Sequence, residues 1–168
     1  WMHKFFKEET DRFKYKHIVG SLSFLPYGAC VDHFQHWVYE NPDATPKERN
    51  QRWLDLESIY LPDRDYDDLH FPKTGGIWQG QLHIYQMPFY YIDYTLAQTC
   101  AFQFWIKNQQ DSEKAWKDYV NLCNAGGSRS FTKLVALAGL ELPFDDGCLE
   151  TVVEHVSNWL DKVDPKKL

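Results

Sequence analysis

One imidazole and three phenols lie close together in the middle of the sequence, and they are the first candidates for chemistry. His83 is followed by Tyr90, Tyr91 and Tyr94. On a helix, residues three or four apart share a face, so Tyr94 can present its hydroxyl beside that of Tyr90 or Tyr91. Such groups can donate hydrogen bonds to an oxyanion and so stabilise a transition state. A separate group, such as metal-bound water, would still have to supply the nucleophile.

The alternative for these four residues is an aromatic core, in which buried phenols find their hydrogen-bond partners inside the protein. Pro88 is predicted to open the helix that carries the tyrosines, because the first helical position needs no N–H donor. That helix extends to about Ile106 with apolar side chains in nearly every direction, which is typical of a buried helix. Asp93, its one charge, would then need a hydrogen-bond donor.

A second candidate consists of His33, His36 and Glu40, which are spaced three and four residues apart. On a helix these side chains could project to one side, and histidine and glutamate are both metal ligands. The alternative is a helix whose polar side carries two imidazoles. Asp32 and Gln35 beside them favour hydrogen bonding over metal binding, and the sequence offers no clear fourth ligand.

Composition limits the classes of function. The 168 residues suffice for one domain with a real core. The net charge of −6, without a Lys/Arg cluster, argues against nucleic acid or an anionic membrane as partner. Residues 74–92, the longest stretch without charged residues, contain glycines and glutamines, so they are not a membrane span. No signal peptide is visible. Four well-separated cysteines predict reduced, buried thiols and a cytoplasmic location.

Apolar periodicity predicts an all-α fold of about seven helices around the buried aromatic helix. Thr45, Pro46 and Glu48 give a strong helix start, a capping box with proline at the first position. Pro26-Tyr27-Gly28 is expected to break or kink the first helical stretch, and residues 69–80 to form an irregular loop. The predicted helical stretches are residues 1–25, 29–40, 45–61, 88–106, 111–125, 130–138 and 149–163.

Two runs of the sequence resemble the oligoendopeptidase F family of zinc metallopeptidases, which are related to thimet oligopeptidase. Residues 24–42 read FLPYGACVDHFQHWVYENP, and residues 83–94 read HIYQMPFYYIDY. The resemblance extends over most of the chain. It implies a mostly helical peptidase that cleaves short peptides inside a deep cleft.

The zinc site of that family is not found in this sequence. In the family, a helix with His-Glu-x-x-His supplies two zinc ligands and a general base, and a glutamate on a following helix is the third ligand. None of the seven histidines here is followed by glutamate. The resemblance therefore implies that residues 1–168 are the C-terminal helical domain, with zinc bound only in the intact enzyme and no metal ligand in this chain. The uncapped apolar stripe of Trp1, Met2, Phe5 and Phe6 agrees with an N-terminal part that is missing.

The resemblance also implies that part of this chain lines the substrate site. It implies that His83, Tyr91 and Tyr94 are catalytic and donate to the carbonyl oxygen of a short peptide. Tyr90 is expected to bind substrate and could replace Tyr91 in role. The fragment alone is expected to be inactive. The alternative function is a non-catalytic helical module that binds a peptide or a protein.

Overall fold

The computed structural model describes residues 2–165, and within them the fold is all-α, as predicted, with no strand. Trp1, part of the predicted apolar stripe, lies outside the described residues. Within residues 2–165 there are nine α-helices against about seven expected, because the short helices α4 and α5 were not predicted. They are α1 His3–Phe6, α2 Thr10–Glu40, α3 Pro46–Tyr60, α4 His70–Lys73, α5 Leu82–Gln86, α6 Ile92–Gln110, α7 Ser112–Ala125, α8 Phe131–Leu137 and α9 Cys148–Leu160. Two 3-10 helices span Lys7–Glu9 and Ile77–Gly80.

The chain divides into two compact units. One is Ser23–Thr95, which contains all the candidate residues named above. The other combines Trp1–Leu22 with Leu96–Leu168. None of the helices within residues 2–165 has the length and apolar character needed to cross a membrane.

Helix α2 runs through Pro26, so Pro26-Tyr27-Gly28, which was expected to break or kink the helix, does not break it. Proline lacks an N–H, so the helix loses one backbone hydrogen bond there but continues to Glu40. The glycine has a different purpose. A Cβ atom at Gly28 would lie 2.1 Å from the Thr95 Oγ1 atom, so only glycine allows this close approach. The triplet is a packing site within one helix.

The start of α3 is the predicted capping box. The Glu48 backbone N–H donates to Thr45 Oγ1 at 3.3 Å, and the Thr45 N–H donates to Glu48 Oε2 at 2.8 Å. Pro46 is the first helical residue, where its missing donor costs nothing. The helix ends with Leu61 as its C-cap, also as predicted.

The core of the Ser23–Thr95 unit is aromatic and forms between α2 and α3. Phe34 and Trp53 are fully buried and meet edge to face, with ring centroids 5.3 Å apart. Trp78 packs on Phe34 at 5.2 Å and donates its indole N–H to Asn50 Oδ1 at 2.9 Å. Residues 69–80, predicted to be irregular, contain α4 and a 3-10 helix, and the buried Trp78 anchors the 3-10 helix to the core.

The other unit is held by helix caps and apolar stripes of the expected kind. Asp111 caps α7, because its side chain accepts the Lys114 backbone N–H at 3.0 Å. Val152 and Val156 of α9 are buried, whereas Val163 lies beyond the end of that helix. The Lys107 ammonium group donates to Asp118 at 2.7 Å.

Helix α6 differs from the prediction in both its start and its burial. It begins at Ile92, and Pro88 lies in the turn before it. The buried residues of α6 are Thr99, Phe102 and Ile106, so the expected burial in every direction is wrong. Asp93 is exposed in the first turn, where a carboxylate is favoured by the positive end of the helix dipole.

The cysteines are free thiols, but they differ in accessibility. Cys30 and Cys148 are buried, as predicted, and Cys100 is half-buried. Cys123 is exposed, which contradicts the expectation that all four would be buried. Burial raises the pKa of the Cys30 thiol to about 12, so it stays protonated.

Candidate functional site

The structure brings His83 and the three tyrosines into one cluster of aromatic rings. The His83 ring lies 5.1 Å from that of Tyr91, 5.8 Å from that of Tyr94 and 6.2 Å from that of Tyr90, between centroids. The Tyr94 ring is 5.3 Å from Tyr90 and 5.4 Å from Tyr91. Four potential hydrogen-bond donors therefore share one small region of the Ser23–Thr95 unit.

Short elements position these four side chains. His83 is on α5, Tyr94 is in the first turn of α6, and Tyr90 and Tyr91 lie in the turn between the two helices. Phe89, just before them, has a φ angle of +54°, which few residues other than glycine adopt. Such a conformation persists only where neighbouring contacts hold it.

Gln35 supplies those contacts from α2. Its side chain is fully buried, and its Nε2 atom lies 3.1 Å from the carbonyl oxygen of His83, 3.2 Å from that of Ile84 and 3.3 Å from that of Met87. Its Oε1 atom accepts the Phe89 backbone N–H at 2.9 Å. One amide thus fixes the segment that carries His83 and leads into the tyrosines.

The sequence contains a signal for this role, although not for its partners. Gln35 lies between Phe34 and Val38 on a helix, at positions where apolar residues mark the buried face. A buried amide needs internal hydrogen-bond partners. Periodicity cannot show that these partners would be backbone groups 48 to 54 residues further along the chain.

A second chain of hydrogen bonds reaches His83 through Gln81, which the sequence reasoning missed. The Tyr27 hydroxyl donates to Gln81 Oε1 at 2.8 Å, and Gln81 Nε2 lies 3.0 Å from His83 Nδ1. Burial raises the pKa of Tyr27 to about 12, so its hydroxyl keeps its proton. The only hint in the sequence is a glutamine two residues before the histidine.

The three tyrosines differ in exposure. Tyr91 is 8% exposed and packs against Phe24 and Tyr27, with both ring distances 6.1 Å. Tyr90 and Tyr94 are 38% and 40% exposed. Tyr91 therefore fits the interpretation as an aromatic core residue, whereas the adjacent Tyr90 lies at the surface, where it can meet a substrate.

The hydroxyl groups are suited to donating. Burial raises the pKa of Tyr91, and a hydrogen bond with the Gln81 side chain partly opposes that effect. A hydrogen bond with Tyr90 raises the pKa of Tyr94. Both hydroxyl groups therefore carry their protons at neutral pH and can donate to an acceptor that enters the cluster.

His33, His36 and Glu40 do not converge. The His33 Nδ1 atom is 3.1 Å from the Tyr60 hydroxyl, and its Nε2 atom is 3.2 Å from the Arg52 guanidinium. The His36 ring instead lies 4.5 Å from that of Phe89. These contacts support the polar-side interpretation and overturn the metal-site alternative.

No group of three or more His, Cys, Asp or Glu side chains within residues 2–165 is placed to hold a metal ion. The described residues therefore do not fit a zinc site of the kind found in the oligoendopeptidase F family. The chemistry that the cluster offers is hydrogen-bond donation from imidazole and phenol.

Comparison with known proteins gives matches along most of the chain. The model of peptidase family M3 matches residues 3–154. A solved structure assigned as an oligoendopeptidase F has 56% identity and a TM-score of 0.96, and the match covers 100% of this chain and 30% of that protein. PZ peptidase A, solved with an inhibitor, has 52% identity and a TM-score of 0.94 over 98% of this chain and 29% of its own length.

A third structure, assigned as an oligoendopeptidase F from Bacillus anthracis, has 45% identity and a TM-score of 0.83. The match covers 100% of this chain and 27% of that protein. The chain thus spans less than a third of the length of these solved proteins. No curated protein gives a significant match.

Proposed function

The chain belongs to peptidase family M3, and on this premise we propose that residues 1–168 are the C-terminal helical part of a zinc metallopeptidase that hydrolyses short peptides. The observation that carries the proposal is the cluster of His83 and three tyrosines. It gathers hydrogen-bond donors at one place, two of them on partly exposed side chains. The likeness to PZ peptidase A, whose structure holds an inhibitor, supports the same conclusion.

In this proposal, His83, Tyr91 and Tyr94 donate hydrogen bonds to the peptide carbonyl oxygen as it gains negative charge. Removing one such donor typically lowers turnover by roughly 10² to 10³. Tyr94 is the stronger candidate of the two catalytic tyrosines, because Tyr91 is 8% exposed and its hydroxyl bonds with Gln81. Tyr90 binds the substrate beside them.

The zinc ion, in this proposal, is held by the N-terminal part of the same enzyme and not by this chain. The absence of the dipeptide His-Glu from the 168 residues supports that assignment. The 168-residue chain by itself is then not expected to hydrolyse peptides. A cytoplasmic location fits the four free thiols, which persist in a reducing compartment.

The experiment is a set of tyrosine-to-phenylalanine changes in the whole peptidase. We expect Tyr94→Phe to lower kcat by about 10²-fold while zinc content is unchanged, because only a donor to the transition state is lost. Tyr91→Phe is expected to have a smaller effect. The matched control is Tyr119→Phe, which removes an exposed hydroxyl from α7 and should leave kcat unchanged. Full turnover in both cluster variants and in their double variant would contradict the catalytic role and favour a binding module.

A further inference from the structure

The hydrogen bonds of Gln81 determine which nitrogen of His83 carries the proton. An amide nitrogen is a donor only, and Gln81 Nε2 lies 3.0 Å from His83 Nδ1. His83 Nδ1 must therefore be an acceptor. A neutral imidazole carries its single proton on the other nitrogen when Nδ1 accepts, so His83 Nε2 is the N–H donor.

This argument depends on the orientation of the Gln81 amide, which its contact with Tyr27 shows. The Tyr27 hydroxyl donates to Gln81 Oε1 at 2.8 Å, so the carbonyl side of the amide faces Tyr27. The NH₂ side of the amide faces His83, with Nε2 3.0 Å from His83 Nδ1.

Tyr27 is itself held in place, so it can serve as a fixed reference. Its ring meets that of Trp53 edge on at 6.4 Å, and the Arg64 guanidinium lies over it at 5.5 Å from the centroid. Trp53 is fully buried in the core. The position of the hydroxyl is therefore fixed, and Gln81 Oε1 faces it.

We propose that Tyr27 and Gln81 are positioning residues that hold His83 as the neutral Nε2–H tautomer. The inference rests on the proposed function, because this tautomer is useful if His83 donates to a developing oxyanion. In this form the histidine can donate without first being protonated. We call the chain of hydrogen bonds from Tyr27 through Gln81 to His83 the relay. Its two ends lie in the same unit, with Tyr27 on α2 and His83 on α5.

The test is nitrogen NMR of the full chain with ¹⁵N-labelled histidine. The signal of His83 is identified by its loss in His83→Gln, and couplings to the ring protons show which nitrogen is protonated. We expect an unprotonated Nδ1 and a protonated Nε2 at neutral pH. A protonated Nδ1 in the wild-type chain would overturn the proposal, whatever the variants do.

Two variants test the relay itself. Gln81→Glu replaces the donor with a carboxylate that accepts, so the Nδ1 signal should shift from the unprotonated to the protonated position. Tyr27→Phe should give a partial shift of the Nδ1 signal, because the Gln81 amide loses the hydroxyl that bonds its Oε1 atom and can flip. Gln79→Glu adds the same charge on an exposed side chain two residues away and should leave the Nδ1 signal unchanged.

An unchanged His83 signal in Gln81→Glu, in a chain that keeps its helical circular dichroism, would also contradict the proposal. The readout needs no turnover, so it is independent of the kinetic test on Tyr94. A failed kinetic test removes the proposed function and leaves the tautomer assignment standing, whereas a wrong tautomer leaves the kinetic result standing.

Discussion

Helices α3 and α6 both start close to a proline, and they start in different ways. At α3, Thr45 and Glu48 exchange hydrogen bonds within three residues, with Pro46 between them. At α6, the helix begins four residues after Pro88, and a glutamine from α2 bonds the preceding segment. The start of α3 depends on hydrogen bonds between neighbouring residues, whereas the start of α6 depends on a residue that is distant in the sequence.

The comparison shows why one helix start was predicted and the other was not. Proline is compatible with the first position of a helix, but it does not decide whether the following residues adopt helical angles. At Phe89 the backbone turns to a φ of +54°, and its N–H is donated to Gln35. This long-range bond overrides the local preference, because it satisfies a fully buried amide.

Among the changes that test this comparison, replacing Gln35 should have the largest effect on the free energy of unfolding. Gln35→Met keeps a side chain of similar length but removes the acceptor for the Phe89 N–H and the donor shared by three carbonyl groups. We expect a loss of about 3 kcal/mol in the free energy of unfolding, measured by urea denaturation of the full chain. Gln109→Met, an exposed change on α6, is the control and should have almost no effect. A loss below about 1 kcal/mol would mean that Gln35 does not hold this segment.

Removing the local cap of α3 should have a smaller effect. Thr45→Ala deletes the acceptor for the Glu48 N–H and is expected to cost about 1 kcal/mol in the same measurement. Thr45→Ser keeps the hydroxyl and should stay close to the wild type. Equal losses for Thr45→Ala and Gln35→Met would remove the distinction between the two helix starts.

The smallest expected effect is a difference in pH dependence. Hydrogen bonds from the Thr45 side chain and backbone lower the pKa of the Glu48 carboxyl group. Its contribution is therefore present above the usual glutamate pKa of about 4.3 and is lost as the pH falls through the lowered value. Gln35 does not titrate, so its contribution should not change with pH in this way.

The measurement is the stability of each variant relative to the wild type at neutral and at acidic pH. The cost of Glu48→Ala should shrink at acidic pH, whereas the cost of Gln35→Met should stay the same. A cost of Glu48→Ala that is independent of pH would show that its carboxylate does not contribute to the cap.

Much of the fold could be predicted because its signals are local. Apolar periodicity predicts α7, α8 and α9, and α7 also has a local cap, because Asp111 accepts the N–H of Lys114 three residues later. The two ordered runs of residues led to the family, which the comparisons confirm. Local preference did not predict that α2 continues through Pro26, and it could not predict the close approach of Thr95 to Gly28, two residues that are far apart in the sequence.

The site was predictable in its members but not in their arrangement. The positions of His83, Tyr90, Tyr91 and Tyr94 in the sequence place them near one another, and the structure puts them in one cluster. Which tyrosine is exposed depends on the turn before α6, and that turn depends on Gln35. The relay through Gln81 is likewise invisible to periodicity, because it joins residues 54 positions apart.

The buried thiol of Cys30 can report the opening of the core of the Ser23–Thr95 unit. Only the thiolate attacks an alkylating reagent, and a fully buried group with a pKa of about 12 presents almost none. Exposed Cys123 should be modified at once, whereas Cys30 must wait until the helices around it separate. The lag between the two labelling events would measure how often the core beneath the tyrosines opens, without any dye or added cysteine.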